Sequence, residues 1–241
     1  REGATSVIID LRANGGGYMS AATDMIDRFL DKGLGIVYTE GKASPRRDYI
    51  SKYDGEYRSW PIAVLIDESS ASASEIFAGA IQDNDRGLIV GRRSFGKGLV
   101  QEEFEVPNSK EGSGALRLTV ARFYTPSGRA IQKPYGDGIE YAHDYEDRLQ
   151  SGELFFHDSD KKTDSVAYRT LYGRAVYGGG GITPDVFIPL DSSSSNRALA
   201  ELVWTGVLRD AAFEWVDNHR GEMVSRTSEN WLDSLTGGMA S

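Results

Sequence analysis

Apolar positions in the first half of the chain follow two alternating patterns. Val7-Ile-Ile-Asp-Leu11, Ile36–Thr39, Ile62–Ile66 and Leu88-Ile-Val90 are short runs rich in branched aliphatics, as expected of strands buried on both faces. Between them, Ser20–Leu30 places Ala21, Met25, Ile26, Phe29 and Leu30 at helical spacing before Gly33 and Gly35 stop it. Ser72–Gln82 likewise gathers Ile76, Phe77, Ala80 and Ile81 on one helical face. Strand–helix–strand units of this length predict an α/β fold, a largely parallel layered sheet with helices packed on it. Functional groups in such folds collect on loops at the carboxyl ends of strands, and Asn14–Gly17 and Glu68–Ser72 both occupy such ends. Glu40–Trp60 breaks the pattern, interleaving Tyr49, Tyr53, Tyr57 and Trp60 with charge, and reads as a loop or hairpin excursion.

The second half changes character. Leu99–Val106 alternates like a strand, and Ala115–Tyr124 alternates Leu116, Leu118, Val120 and Phe123 against polar partners before the turn Pro126-Ser-Gly-Arg129. Pro134–Asp164 is polar, with acidic patches at Asp144–Asp147 and Asp158–Asp164, and reads as a surface insertion whose patches form solvated loops, calcium being the alternative occupant. Tyr172–Pro189 returns to glycine and strand patterning through Gly178–Gly181. Ser192–Ser195 resembles a linker or capping run, and Ala198–Val216 has amphipathic helical spacing. The expected division is a core over residues 1–190 and a C-terminal helical segment over 191–241.

Composition narrows the function. The 241 residues carry 27 basic against 36 acidic side chains, a net charge of -9, and the basic residues form no long run, which argues against a nucleic-acid partner. Cysteine is absent, which removes disulfides, thiolate metal sites and a thiol nucleophile. No apolar run approaches the roughly 20 residues of a membrane span, and no signal peptide opens the chain. Because a strand pattern starts within the first dozen residues, the chain reads as a piece of a longer protein.

The candidate chemistry lies in Ser70-Ala-Ser-Ala-Ser-Glu75 and Gly96-Lys97-Gly98 with Gln101. A serine hydroxyl needs an adjacent base, and a lysine serves as one only when desolvation or a neighbouring cation lowers its pKa, which burial of Lys97 among small residues would supply. Serines before a helix also act as caps, and on composition Ser69, Ser70 and Ser72 are equally eligible. Gly91-Arg-Arg-Ser-Phe-Gly96-Lys97 imitates a phosphate-binding loop, but Gly98 stands where the magnesium-binding hydroxyl belongs and a strand pattern follows where a helix is required. His143, His157 and His219 lie far from the glycine and serine loops, so a Ser-His-Asp triad and a histidine metal site are not expected, and no cofactor is implied.

Five motifs stand in the order found in C-terminal processing peptidases, or tail-specific proteases. They are Asp10-Leu-Arg-Ala-Asn-Gly-Gly-Gly17, Ser70-Ala-Ser-Ala-Ser-Glu-Ile76 with Gln82-Asp83, Gly91 through Gln101, Ala121-Arg-Phe-Tyr-Thr-Pro-Ser-Gly-Arg129, and Gly181-Ile-Thr-Pro-Asp185. The resemblance implies a ClpP/crotonase-like catalytic core and a serine endopeptidase acting at the C-terminal end of proteins. It selects Ser72 as the nucleophile, 25 residues before the lysine, with Lys97 as base and Gln101 orienting its amine. It further implies an oxyanion hole from the N–H of Ala73 and of Gly16 or Gly17, and a supporting role for Asp83.

The partners so implied are protein or peptide substrates, and the compartment is the bacterial periplasm or cell envelope. Nothing in the chain reads as the PDZ-like module that usually precedes the Asp-Leu-Arg strand. Two other functions compete with the peptidase: a catalytically silent core acting as a scaffold, and a crotonase-like acyl enzyme, for which no adenine-nucleotide signature is visible.

Overall fold

A computed structural model describes residues 3–109, 112–134, 143–156, 166–191, 202, 205–218 and 220. The chain divides into two compact units, Arg1–Leu190 and Asp191–Ser241. Within the first unit, the elements in chain order begin with β1 (Val7–Asp10), α1 (Met19–Ile26), β2 (Gly35–Glu40), β3 (Arg47–Ile50), β4 (Ile62–Ile66), α2 (Ala73–Asp83) and β5 (Leu88–Gly91). They continue with β6 (Leu99–Ser109), β7 (Gly112–Tyr124), α3 (Asp144–Gln150), β8 (Ala167–Arg169), β9 (Ala175–Tyr177) and β10 (Val186–Phe187).

The aliphatic runs β1, β4 and β5 form a parallel sheet in the order β1-β4-β5-β10. In β4 the residues Ile62, Val64 and Ile66 are buried. Helix α2 packs against α1, β2 and β5, and each of its residues is buried, including Ser74, Glu75, Gln82 and Asp83. Its small residues permit that immersion: a Cβ on Gly79 would sit 2.8 Å from Thr125 Cγ2. The core runs from Ile26, Phe29 and Leu30 through Phe77 and Ile81 to Phe123, Ile131 and Ile182.

Three differences from the sequence pattern carry physical reasons. The run at β2 does not join the parallel sheet: it pairs antiparallel with β3 and β7 in a second sheet of order β3-β2-β7-β6. Residues 41–46 are too few for a parallel crossover and suit a hairpin. Next, the alternating residues of the β6–β7 hairpin do not face the core. Phe104, Val106, Leu116 and Leu118 are 44–48% exposed, because the outer part of the hairpin extends beyond the layers it pairs with.

The acidic stretch at Asp144–Asp147 is also no solvated loop, since it opens helix α3. Asp144 pairs with the buried Lys133 ammonium at 3.0 Å, which lies 3.6 Å from the Phe95 ring centroid. Burial lowers the Lys133 pKa against the opposing pull of Asp144. From the same helix, Arg148 donates to the carbonyls of Arg93 and Ser94, and Glu153 joins Arg93 to Arg148, so the segment braces the chain just before Lys97. The patch at Asp158–Asp164 and the run Ser192–Ser195 lie outside the described residues.

In the second unit, Val207–Asn218 forms a helix, α4, with Phe213 and Trp215 exposed. This lies inside the amphipathic stretch expected over Ala198–Val216, of which residues 198–201, 203 and 204 are outside the described set. No helix among the described residues is long and apolar enough to cross a membrane.

Candidate active site

Three loops leave the carboxyl ends of adjacent parallel strands and meet. The loop after β4 runs Asp67 to Ser72 and enters α2 at Ser72, whose φ of 57° and ψ of -114° no L-residue adopts without strain. Strain of this kind at a strand–turn–helix corner exposes the side chain and persists only where surrounding contacts impose it. Ser69 and Ser70 differ from it in position: Ser70 is buried, donating its hydroxyl to Leu11 O, whereas Ser72 is half-buried at the helix N-terminus.

The loop after β1 begins with the Asp10–Arg12 pair, whose guanidinium holds the Asp10 carboxyl down at about 2. It then passes through Ala13 at φ 54° and Gly16 at φ 93°. Asn14 O receives Ala71 N and Ser74 Oγ, each at 3.0 Å, which ties the loop to the serine turn. Gly16 N donates to Asn14 Oδ1 at 2.9 Å and is therefore occupied. Neither Gly17 N–H nor Ala73 N–H has a hydrogen-bond partner among the described residues.

Gly16 lies so close to the turn that a Cβ there would sit 2.5 Å from Ala71 O, 2.7 Å from Ala73 N and 2.9 Å from Ser72 Cβ. Gly16→Ala is accordingly expected to push the loop off the turn and lower kcat by about 10²- to 10³-fold, the scale of losing one oxyanion donor. Because the loop is exposed, Tm should move little. A thermal melt beside a rate measurement checks both, and an undiminished rate would refute the close approach.

The third loop, after β5, carries Lys97 between Gly96 and Gly98. One buried carboxylate joins it to the serine turn. Glu75 Oε2 accepts Ser72 N and Lys97 N, each at 2.8 Å, while Oε1 accepts Gly96 N at 2.7 Å and Ser94 Oγ–H at 2.5 Å. Ser94 Oγ itself accepts Ile182 N, so its proton points to Glu75. Burial pushes the Glu75 pKa up, and the four donors pull against it. Sequence reasoning passed over Glu75 as a functional group, although a serine followed three residues later by glutamate is a capping-box spacing. Asn14 was likewise unremarked within its glycine motif.

A cleft of about 730 Å³ is lined by Gly15, Gly16, Gly17, Ser72, Ala73, Lys97 and Gln101, with Tyr18, Met19, Ile76, Leu99, Val100 and Phe123 as apolar wall. Glu103 and Arg117, paired at 3.0 Å, stand on the same wall. Lys97 is half-buried, and its side chain makes no ion pair or hydrogen bond with any described residue. Among the described residues no cluster suited to a metal ion occurs.

Asp83 is the one expected site residue outside the cleft. It ends α2, where it pairs with the buried Arg129 at 2.7 Å and accepts Ser127 N, while Gln82 Oε1 shares Arg129. Asp83→Ala would strand a buried guanidinium and is expected to cost about 3–5 kcal/mol of stability. Urea unfolding reads that loss, and an unchanged midpoint would contradict it. His143 is exposed and pairs with Glu146, while His157 and His219 lie outside the described residues.

Parallel strands whose carboxyl ends present a glycine loop, a strained serine turn and a lysine loop around one cleft define an α/β protein of hydrolase-like layout. The chain belongs to peptidase family S41, whose sequence profile matches residues 1–144. It is 40% identical over 181 residues to the carboxy-terminal-processing protease of Bartonella bacilliformis, covering 67% of this chain and 39% of that protein. It is also 40% identical over 133 residues to the carboxyl-terminal-processing protease of a Picosynechococcus species, covering 55% of this chain and 31% of that protein. Among solved structures, the photosystem II D1 C-terminal processing protease aligns with a TM-score of 0.51 at 27% identity, over 78% of this chain and 36% of that one. The chain therefore spans less than half the length of each of these relatives.

Proposed function

We propose that this chain is the catalytic core of a serine endopeptidase that cuts proteins toward their C-terminal end, with Ser72 and Lys97 as its dyad. The observation that carries the reading is the strained Ser72 in one cleft with Lys97 and two unpartnered backbone N–H groups. Ser72 Oγ attacks the scissile carbonyl while Lys97 Nζ takes its proton, then passes that proton to the leaving amine. The Ala73 and Gly17 N–H groups receive the tetrahedral oxyanion. Of the two glycines that the family resemblance implies, Gly17 suits the role better, because Gly16 N–H is held by Asn14. Water then attacks the acyl-enzyme by the reverse proton route.

Gln101, the third residue of β6, is assigned to orient the Lys97 amine. Asp83 supports the site from a distance, by anchoring the far end of α2 through Arg129. The substrate class, proteins trimmed near the C-terminus, follows the names of the relatives. A cell-envelope location goes with the same resemblance. No resident cofactor enters this mechanism.

Incubation with an unstructured protein such as casein, and separately with a fluorophosphonate, tests the reading. Cleavage together with a covalent adduct on Ser72, located by peptide mass spectrometry, is expected. An adduct on another serine would refute the assignment, and neither cleavage nor adduct would favour a silent scaffold of the same fold.

A further inference from the structure

We propose that Asp67 is a positioning residue: its carboxylate holds Ala13 in a strained conformation and so sets the glycine loop against the Ser72 turn. The inference rests on the peptidase reading above for its kinetic consequence, but its structural part stands separately.

Asp67 follows β4 and is nearly buried. Both of its oxygens accept Ala13 N at 3.0 Å, and Oδ1 also accepts Ser69 N at 3.0 Å. Asp67 N donates to Ser70 Oγ, and that hydroxyl donates to Leu11 O at 2.7 Å. The start of the glycine loop is thus fastened to the start of the serine turn at Leu11 and again at Ala13. The second fastening has to oppose a cost. Ala13 lies at φ 54°, a left-handed conformation that costs an L-residue with a Cβ about 1–2 kcal/mol.

The next residue, Asn14, delivers its carbonyl to Ala71 N and Ser74 Oγ and its side chain to Gly16 N. Release of Ala13 would let its backbone relax out of the left-handed region, turning the following peptides and withdrawing Asn14 from those partners. Gly17, which lines the cleft together with Ala73, would shift with those peptides. The loop is exposed, and among the described residues its hydrogen bonds to the serine turn beyond Ala13 run through Asn14, the residue that relaxation of Ala13 would turn.

Three variants test this: Asp67→Ala, Asp67→Asn, and Asp67→Ala combined with Ala13→Gly. In Asp67→Ala, hydrogen exchange of a peptide covering residues 13–17 should accelerate while the interior amides of α2 stay protected. Its kcat should fall about 10- to 100-fold with KM within about twofold of the parent, as expected for loss of orientation rather than of binding. Asp67→Asn keeps one acceptor for Ala13 N but turns an NH₂ toward the same N–H, so its kcat should fall between those of the parent and Asp67→Ala. Glycine adopts a positive φ freely, so adding Ala13→Gly should recover most of the lost kcat. A merely structural role for Asp67 would lower Tm without splitting kcat from KM and would not be rescued at residue 13. Unchanged exchange at residues 13–17, or no rescue, overturns the proposal. A parent chain that cleaves nothing overturns the peptidase reading instead, and the exchange comparison still decides whether Asp67 holds the loop.

Discussion

Ser72→Ala and Lys97→Ala are each expected to lower kcat/KM by roughly 10⁴-fold or more, and the double variant to lose no more than the worse single one. A nucleophile and its base act on one proton. Once either is gone, the other has nothing to do, so the losses coincide instead of multiplying. The cleft geometry makes the expectation specific, because the Lys97 side chain has no hydrogen bond or ion pair among the described residues whose loss would unfold the chain. Tm of Lys97→Ala should therefore stay near that of the parent while activity vanishes. Multiplicative losses in the double variant would mean that the two residues work independently, and the dyad would be abandoned.

Glu75→Gln is expected to lower stability by about 3–5 kcal/mol and kcat by about 10²-fold or more. The substitution is nearly isosteric, and the damage comes from hydrogen-bond parity. All four groups around the carboxylate donate: Ser72 N, Lys97 N, Gly96 N and the Ser94 hydroxyl. An amide replaces one acceptor oxygen with a donor NH₂, which then faces two buried donors whichever way it is turned. Ser94 cannot escape by reversing its hydroxyl without cost, since its oxygen already receives Ile182 N. The kinetic loss follows because one oxygen, Oε2, sets the spacing between the Ser72 and Lys97 backbones. Urea titration and steady-state kinetics on the folded fraction separate the two effects. A midpoint equal to the parent's would show that the site relaxes around the amide, and the argument from parity would fail.

Much of the architecture was legible because it is written in local periodicity. The branched-aliphatic runs at β1, β4 and β5 do form the parallel sheet, although they are not buried on both faces throughout, Ile8 and Leu88 being more than half exposed, and the small-residue helix α2 is immersed. Sheet membership was less legible. The run at β2 has the same composition as its parallel neighbours yet pairs antiparallel, because strand direction depends on which chain segment returns to meet it. The hairpin of β6 and β7 alternates as a half-buried strand should, yet Leu116 and Leu118 are substantially exposed, since alternation says which residues share a face and not what covers that face.

The acidic opening of α3 was misread for a similar reason. A run of carboxylates looks solvated until the cation it meets is known, and Lys133 lies outside the run.

By itself, the sequence determined that a glycine loop and a serine-rich turn would follow strands, that a lysine would sit among glycines, and that thiol chemistry was absent. Composition could not rank Ser69, Ser70 and Ser72; that choice came from family resemblance, and the structure adds the strain at Ser72 and the burial of Ser70. Only the tertiary structure decided that Glu75 would bind the backbones of two loops, that Asp67 would clasp Ala13, and that Gly16 N–H would be spent on Asn14. It also decided that Asp83 would serve an ion pair away from the cleft. The physical reason is common to these cases. Which groups can react is a property of side-chain type and order along the chain, but which donor a buried carboxylate receives depends on separations of a few tenths of an ångström between segments distant in sequence.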